Sequence, residues 1–186
     1  MFGEPNKETE CIKKKLSEVC IINPKKLELK LEDNFEVSFV PMVAVSDKGK
    51  IDASIIKPYY EVKTGFTYFS ENDVLFAKIT PCMENGKGAV AIDLKNGIGF
   101  GSTEFHVLRP IVSKSNPYWI YYLTMFDFFR DEAKKNMTGS AGQRRVPAAF
   151  LENYVVAIPD ISSQNQFAYF VQQIDKQKFI YTNTQL

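Results

Sequence analysis

The stretch 74–92, VLFAKITPCMENGKGAVAI, decides how the rest of the chain is read. VLFAKI and GAVAI are apolar runs of strand length, and the ENGKG between them supplies Asn and Gly for turn conformations with positive φ. Working outward, the same alternation covers 35–110. FEVSFVPMVAV, ASIIKPYYEV and TEFHVL are β-branched or aromatic, and DKGK, SEND and KNGIGFG separate them. Pro41 and Pro58 withhold a backbone donor, so they mark edges or bulges rather than central strands. No segment repeats at a period of about 20–50 residues, which excludes a solenoid.

Beyond 110 the period changes. SNPYWIYYLTMFDFFRDEAKK (115–135) predicts a helix, with Asn116 as its cap and Pro117 in the first turn. Trp119, Tyr122, Leu123 and Phe126 follow helical spacing, and Lys134 and Lys135 suit the negative end of the helix dipole. Most of these rings read as core. NMTGSAGQRRVP (136–147) is a small-residue loop with two adjacent arginines, and YVVAIP is a short strand. Asp160 to Ser163 opens a last helix, with Ser163 and Gln166 at capping-box spacing. Within it Phe167, Val171, Ile174 and Tyr181 fall at steps of four, three and seven. That is either a seam for a partner helix or a face lying on its own domain. Upstream, Ile12, Leu16, Val19 and Cys20 predict one face of a short helix over 11–22, ended by Asn23-Pro24.

The chain has 186 residues, 23 basic and 22 acidic side chains and a net charge of +1. One α+β domain with an appended element is expected, without an overall field for a polyanion. Locally, 111–150 carries Lys114, Arg130, Lys134, Lys135, Arg144 and Arg145 against three acids, whereas 31–60 carries three lysines against five acids. The densest apolar stretch, 119–129, is too short for a bilayer needing about 20 residues. With a polar start and three scattered cysteines, the cytoplasm, reduced thiols and no membrane are expected.

Catalytic chemistry finds little support. The single histidine, His106, sits in an alternating strand and reads as structural, and Cys82 as an inert thiol. Cys11, Cys20 and Cys82 lack zinc spacing. Asn116-Pro117-Tyr118-Trp119 resembles the Asn-Pro-Pro-Tyr of amino methyltransferases without its second Pro. Asp52 with Glu61-Val62-Lys63 resembles the acid and Glu-x-Lys centre of Mg²⁺-dependent nucleases, without a third carboxylate. Neither phosphate-loop nor dinucleotide fingerprint is present.

Four motifs in order, VLFAKITPCMENGKGAVAI, GFGSTEFHVLRP, TGSAGQRRVP and YVVAIPDISSQNQFAYFVQQID, carry a stronger signal. With the lead-in CIKKKLSEVCIINP, they resemble a target recognition domain of a type I restriction-modification specificity subunit, followed by its conserved helix. The family's Pro-Pro-Leu-x-Glu-Gln appears as Pro159 to Gln164, with Ser163 in the place of Glu. The resemblance implies a strand-rich recognition globule over 1–160 and a spacer helix over 161–186 that pairs in an antiparallel coiled coil. It also implies no catalysis, no metal and no cofactor in this chain. The implied partners are double-stranded DNA, methyltransferase (modification) subunits and a restriction subunit, with a second copy pairing through the helix. Family members carry two recognition domains and two helices, whereas this chain has one of each.

Base edges call for bidentate donors, and phosphates for cations or small polar groups. Lys78, Asn85 and Lys87 flank the 79–88 turn, a candidate reading loop. Ser102 and Thr103 follow a Gly-rich turn that would allow close backbone approach. Thr138, Ser140, Gln143, Arg144 and Arg145 form a second cluster, and Lys57 and Lys63 are reserves. Phe167, Val171, Ile174 and Tyr181 are the candidate partner-helix residues. The remaining classes are a Mg²⁺-dependent nuclease using Asp52, Glu61 and Lys63, and a protein-interaction module.

Overall fold

The computed structural model describes residues 12–26, 30–140 and 142–183, with side chains of the last helix described through Gln177. The first described run corrects the expected helix. Ile12–Lys15 is a strand (β1), Leu16–Glu18 a single 3-10 turn, and Cys20–Ile22 a second strand (β2). Apolar spacing over so few residues cannot hold an isolated helix, and strand pairing satisfies the same backbone groups. Leu16, Val19 and Cys20 still reach the core, while Ile12 does not.

The next strands are β3 (Glu36–Val40) and β4 (Ile56–Pro58), the latter running into the one-turn helix α1 (Tyr59–Val62). Then come β5 (Thr67–Ser70), β6 (Val74–Ala77), β7 (Gly88–Val90), β8 (Ile98–Gly101) and β9 (Phe105–Pro110). One sheet has the order β2-β9-β6-β7, all antiparallel. A second four-stranded sheet has the order β4-β3-β8-β5, with β3 and β8 parallel. Pro58 ends the edge strand β4, and Pro41 follows the last residue of β3, as the missing donor requires.

All four residues of β6 are buried, which explains the unbroken apolar run at 74–77. Val74 and Phe76 enter one hydrophobic cluster, and Leu75 and Ala77 enter another on the opposite face. Helix α2 (Pro117–Met125) packs on the first of these faces, burying Trp119, Ile120 and Leu123. Asn116 caps it as expected, its side-chain oxygen accepting from the Tyr118 amide at 2.9 Å. The predicted single helix breaks at Phe126, which adopts an extended conformation (φ −68°, ψ 140°), and α3 (Asp127–Lys135) begins in a new direction. There Phe129 is fully buried and meets Phe76 edge-on, whereas Phe126 stacks on the exposed Phe128.

After α4 (Ala148–Asn153), β10 (Val155–Ile158) pairs antiparallel with β1. The last helix, α5 (Ile161–Asn183), is capped by Asp160 rather than by the expected Ser163–Gln166 box. One Asp160 carboxylate oxygen accepts from the Ser163 amide at 2.9 Å, and the other from the Ser163 hydroxyl at 2.7 Å. Gln164, which with Pro159 matches the family motif, is fully buried. Its Nε2 donates to the Pro159 and Lys114 carbonyls, and its Oε1 accepts from the Asn116 amide. That one amide fastens the start of α5 to the start of α2. Among the described residues, no helix is long and apolar enough to cross a membrane.

Candidate nucleic-acid interface

Three segments distant in sequence converge on one rim. At the end of β6, the Lys78 amide donates to the Glu104 carbonyl (2.9 Å), and the Val146 amide donates to the Lys78 carbonyl (2.9 Å). The Thr80 amide donates to the Arg144 carbonyl (3.0 Å). Residues 138–145 are closed by reciprocal bonds between Thr138 and Arg145, at 2.9 and 2.8 Å. The candidate loops 78–87, 102–104 and 138–147 are thus one backbone-linked structure, and loops positioned by a rigid scaffold are where binding residues concentrate.

On this rim Asn85, Thr103, Thr138, Ser140 and Gln143 are exposed. Lys78 and Ser102 are half-buried, and the Ser102 hydroxyl accepts from the Glu104 amide. Among the described residues, the Lys78 ammonium makes no hydrogen bond or ion pair. Lys87 leans away from the loop, its Nζ donating to the Met42 carbonyl at 3.3 Å. Gly99 and Gly101 prove to be strand residues of β8, not a turn for close DNA approach. A Cβ at Gly99 would overlap the Phe69 ring, and one at Gly101 the Val40 carbonyl. Gly139, at φ +116°, shapes the 138–145 loop, where a Cβ would crowd the Gln143 carbonyl.

The local excess of positive charge over 111–150 is largely committed inside the protein. Arg130 is 9% exposed, and its Nη1 donates to the Met83 carbonyl beneath the 79–88 loop. Burial holds its pKa below the usual guanidinium value. Lys114 donates to the Glu18 carbonyl, and Lys135 pairs with Glu132. Arg144 donates from Nη2 to the Met137 and Lys134 carbonyls, at 2.9 and 3.2 Å, closing the end of α3. Arg145 is bound bidentately by Glu104, with Nε at 2.9 Å and Nη2 at 2.8 Å from its carboxylate oxygens. The Arg145 hydrogen bond holds the Glu104 carboxyl below its ordinary pKa. Sequence reading missed Glu104. Its partner lies 41 positions away, and no spacing rule connects them.

His106 is structural, as expected. It is 5% exposed, with Nε2 at 2.8 Å from the Val146 carbonyl and Nδ1 at 2.9 Å from Asn23 Nδ2. The neutral ring with a proton on Nε2 satisfies both contacts, and burial lowers its pKa. Cys20 is buried, with its thiol pushed up to about 12, and Cys82 is half-buried rather than enclosed.

The nuclease triad does not assemble. Glu61 pairs with Lys57 at 3.0 Å, Lys63 with Asp33 at 2.9 Å, and exposed Asp52 accepts from the Ser54 amide. Lys57 and Lys63, the reserve cations, are therefore both engaged. Among the described residues, no group of three His, Cys, Asp or Glu side chains is placed to hold a metal.

The partner-helix set divides. Phe167 packs edge-on against Tyr122, with ring centroids 5.3 Å apart, and Val171 is buried, so both serve the domain itself. Ile174 is exposed beside Phe170 and Tyr169, which are 63% and 60% exposed. The Tyr181 side chain and Cys11 lie outside the described residues.

An antiparallel sheet, a mixed sheet, a buried helix and a rim of interlocked loops define a recognition scaffold. A family model of the type I restriction modification DNA specificity domain matches residues 8–186, and the chain belongs to that family. It is 44% identical over 151 residues to the type I restriction enzyme EcoEI specificity subunit of Escherichia coli, covering 80% of this chain and 25% of the relative. It is 41% identical over 154 residues to the EcoAI specificity subunit of the same organism, covering 81% and 26%. The chain thus spans about a quarter of the length of these curated relatives. Its fold is similar to the HsdS subunit from Thermoanaerobacter tengcongensis. That match has a TM-score of 0.70 at 19% identity, covering 98% of this chain and 46% of that one. A chain from a study of type I R-M complex assembly and conformational transition matches equally, covering 93% and 44%.

Proposed function

We propose that this chain is a non-catalytic DNA-specificity domain that reads one half of a bipartite duplex target and docks methyltransferase subunits. The observation that carries this reading is the convergence of 78–87, 102–104 and 138–147 on one rim. It presents amide and hydroxyl side chains beside Lys78, whose ammonium has no hydrogen bond or ion pair among the described residues. Such a surface suits readout of base edges better than indiscriminate capture of phosphates. Methyl transfer and cleavage belong to the modification and restriction subunits, in the cytoplasm, and the chain needs no cofactor of its own.

The segment 161–186 acts, through its helix α5 (Ile161–Asn183), as a spacer appended to the recognition globule of 1–160. As 23 residues it extends about 34 Å at ~1.5 Å per residue. Half-sites one DNA turn apart are separated by ~34–36 Å. Two copies pairing antiparallel through the outer face of α5, at Phe170 and Ile174, would read a palindromic pair of half-sites.

Co-expression of the full chain with modification subunits, followed by mapping of methylated positions, tests the reading. The expected result is methylation confined to one bipartite sequence and absent without this chain. Cleavage of duplex DNA by the isolated chain with Mg²⁺, or methylation unaffected by its removal, overturns it.

A further inference from the structure

Resting on that reading, we propose that Glu104 is a specificity-determining residue: it holds Arg145 as an oriented reader of a guanine edge and keeps it from acting as a phosphate contact.

A guanidinium has five N–H donors. In Arg145, Nε and one Nη2 proton are taken by Glu104, and one Nη1 proton by the Gln143 carbonyl at 3.0 Å. Two donors are left, one on each terminal nitrogen. The backbone on which the side chain stands is fixed on both sides by Thr138. The side chain nevertheless stays 41% exposed, against 26% for Glu104. It is therefore accessible, immobilised and already stripped of most of its alternative rotamers, which is how a contact gains discrimination without an ordering cost at binding.

Charge decides what such a group reads. The Arg145–Glu104 pair is neutral overall, so placing it against the DNA backbone displaces no net counterion. A phosphate approaching Arg145 also meets the Glu104 carboxylate, a like charge bonded to the same guanidinium. A guanine O6/N7 edge carries no net charge and asks for two N–H donors, the number left. Glu104 thus disfavours the indiscriminate ligand and leaves the specific one. Lys78 lies close enough for its charge to lower the Glu104 pKa, and it supplies the phosphate contact that Arg145 forgoes.

The test uses the purified full chain and a pool of duplexes with a randomised 14-bp centre, read by sequencing the bound fraction. Salt dependence is measured on a single duplex of fixed sequence. In the wild type, the enriched motif contains an invariant G·C pair. Glu104→Gln loses enrichment at that pair by roughly ten- to a hundredfold, and its salt slope steepens by about one, as one phosphate contact is gained. Arg145→Lys loses the same pair with an unchanged slope, because a lysine still pairs with Glu104. Lys78→Ala keeps the motif and flattens the slope by about one.

Retention of the G·C pair in Glu104→Gln or in Arg145→Lys overturns the assignment. So does an unchanged slope in Glu104→Gln, since Glu104 would then not be keeping Arg145 from phosphate. Failure of the DNA reading itself looks different: the wild type enriches nothing and Lys78→Ala leaves the slope unmoved, which ends both proposals.

Discussion

Two arginine–carboxylate pairs fasten two regions of this molecule, and they do opposite work. Asp73, just before β6, is 2% exposed at its side chain and holds Arg109 of β9 through Nε at 2.8 Å and Nη2 at 2.7 Å. It also accepts from the Ser70 amide, while Arg109 Nη2 donates to the Ser70 hydroxyl. Glu104 and Arg145 repeat the same fork on the rim, where both partners remain in solvent. Geometry is shared and burial is not. In the seam the carboxylate has no other solvation, so the pair ties the turn before β6 to β9. On the rim, water competes for both groups, and the pair sets orientation rather than stability.

Removing one partner from each pair should separate them. Asp73→Ala leaves Arg109 without its counter-charge and the Ser70 amide without its acceptor. Loss of one member of a buried pair costs ~3–5 kcal/mol, and the partial exposure of Arg109 places this case near ~3. Urea unfolding measures it. A loss below ~1 kcal/mol, within the range of exposed pairs, would erase the distinction between seam and rim.

Gln164 is the next contrast, a buried neutral group with all its partners inside the protein. Gln164→Ala orphans the Asn116 amide and the Pro159 and Lys114 carbonyls at the junction of α2 and α5. Unsatisfied buried groups cost ~1–3 kcal/mol, and about 2 kcal/mol is expected here. Hydrogen exchange should rise first in the opening turn of α5. Uniform loss of protection across both sheets would mean that the amide stabilises the whole domain instead of this junction.

Much of this arrangement is legible from the residues and part is not. The run at 74–77 announces a strand because both its faces are buried, and Asn116-Pro117 announces a helix start because capping is local. The lead-in at 11–22 misleads, because its four apolar positions fit a helix face, whereas Ile12 to Lys15 are placed by β10, 140 to 146 positions away. Arg130 and Arg144 count as free charge in the sequence, yet both are spent on carbonyls. The candidate rim is named by motif order, but the Glu104–Arg145 fork that organises it is a tertiary contact. Phe167 and Val171 show the same limit: helical spacing identifies a face and not what covers it.

His106 gives a pH-dependent reading of the rim's support. In the unfolded chain its imidazole takes a proton near the ordinary value of 6.5, and the folded site, which burial disfavours for charge, takes it less readily. Protons therefore go preferentially to the unfolded chain. The stabilising contribution is complete above 6.5 and is lost as pH falls through the lowered folded value. As the only histidine, His106 should account for the decline in urea midpoint between pH 7.5 and 5.5. His106→Gln, which keeps a donor for the Val146 carbonyl, should flatten that decline. An equal decline in both proteins assigns it to another group.

The smallest expected effect on stability falls on the rim pair. Glu104→Gln keeps an acceptor for the Arg145 guanidinium and removes only a charge shared with solvent, so Tm should move by less than about 2 °C. Binding should nevertheless change, and the ratio of the two effects is what distinguishes this pair from the seam. In Asp73→Ala a loss of DNA selectivity would follow the loss of folded protein and vanish when affinity is corrected for the folded fraction. In Glu104→Gln it would survive that correction. A Tm drop of the size seen for Asp73→Ala would show the rim pair to be scaffold, and Arg145 would then be a strut of the 138–145 loop.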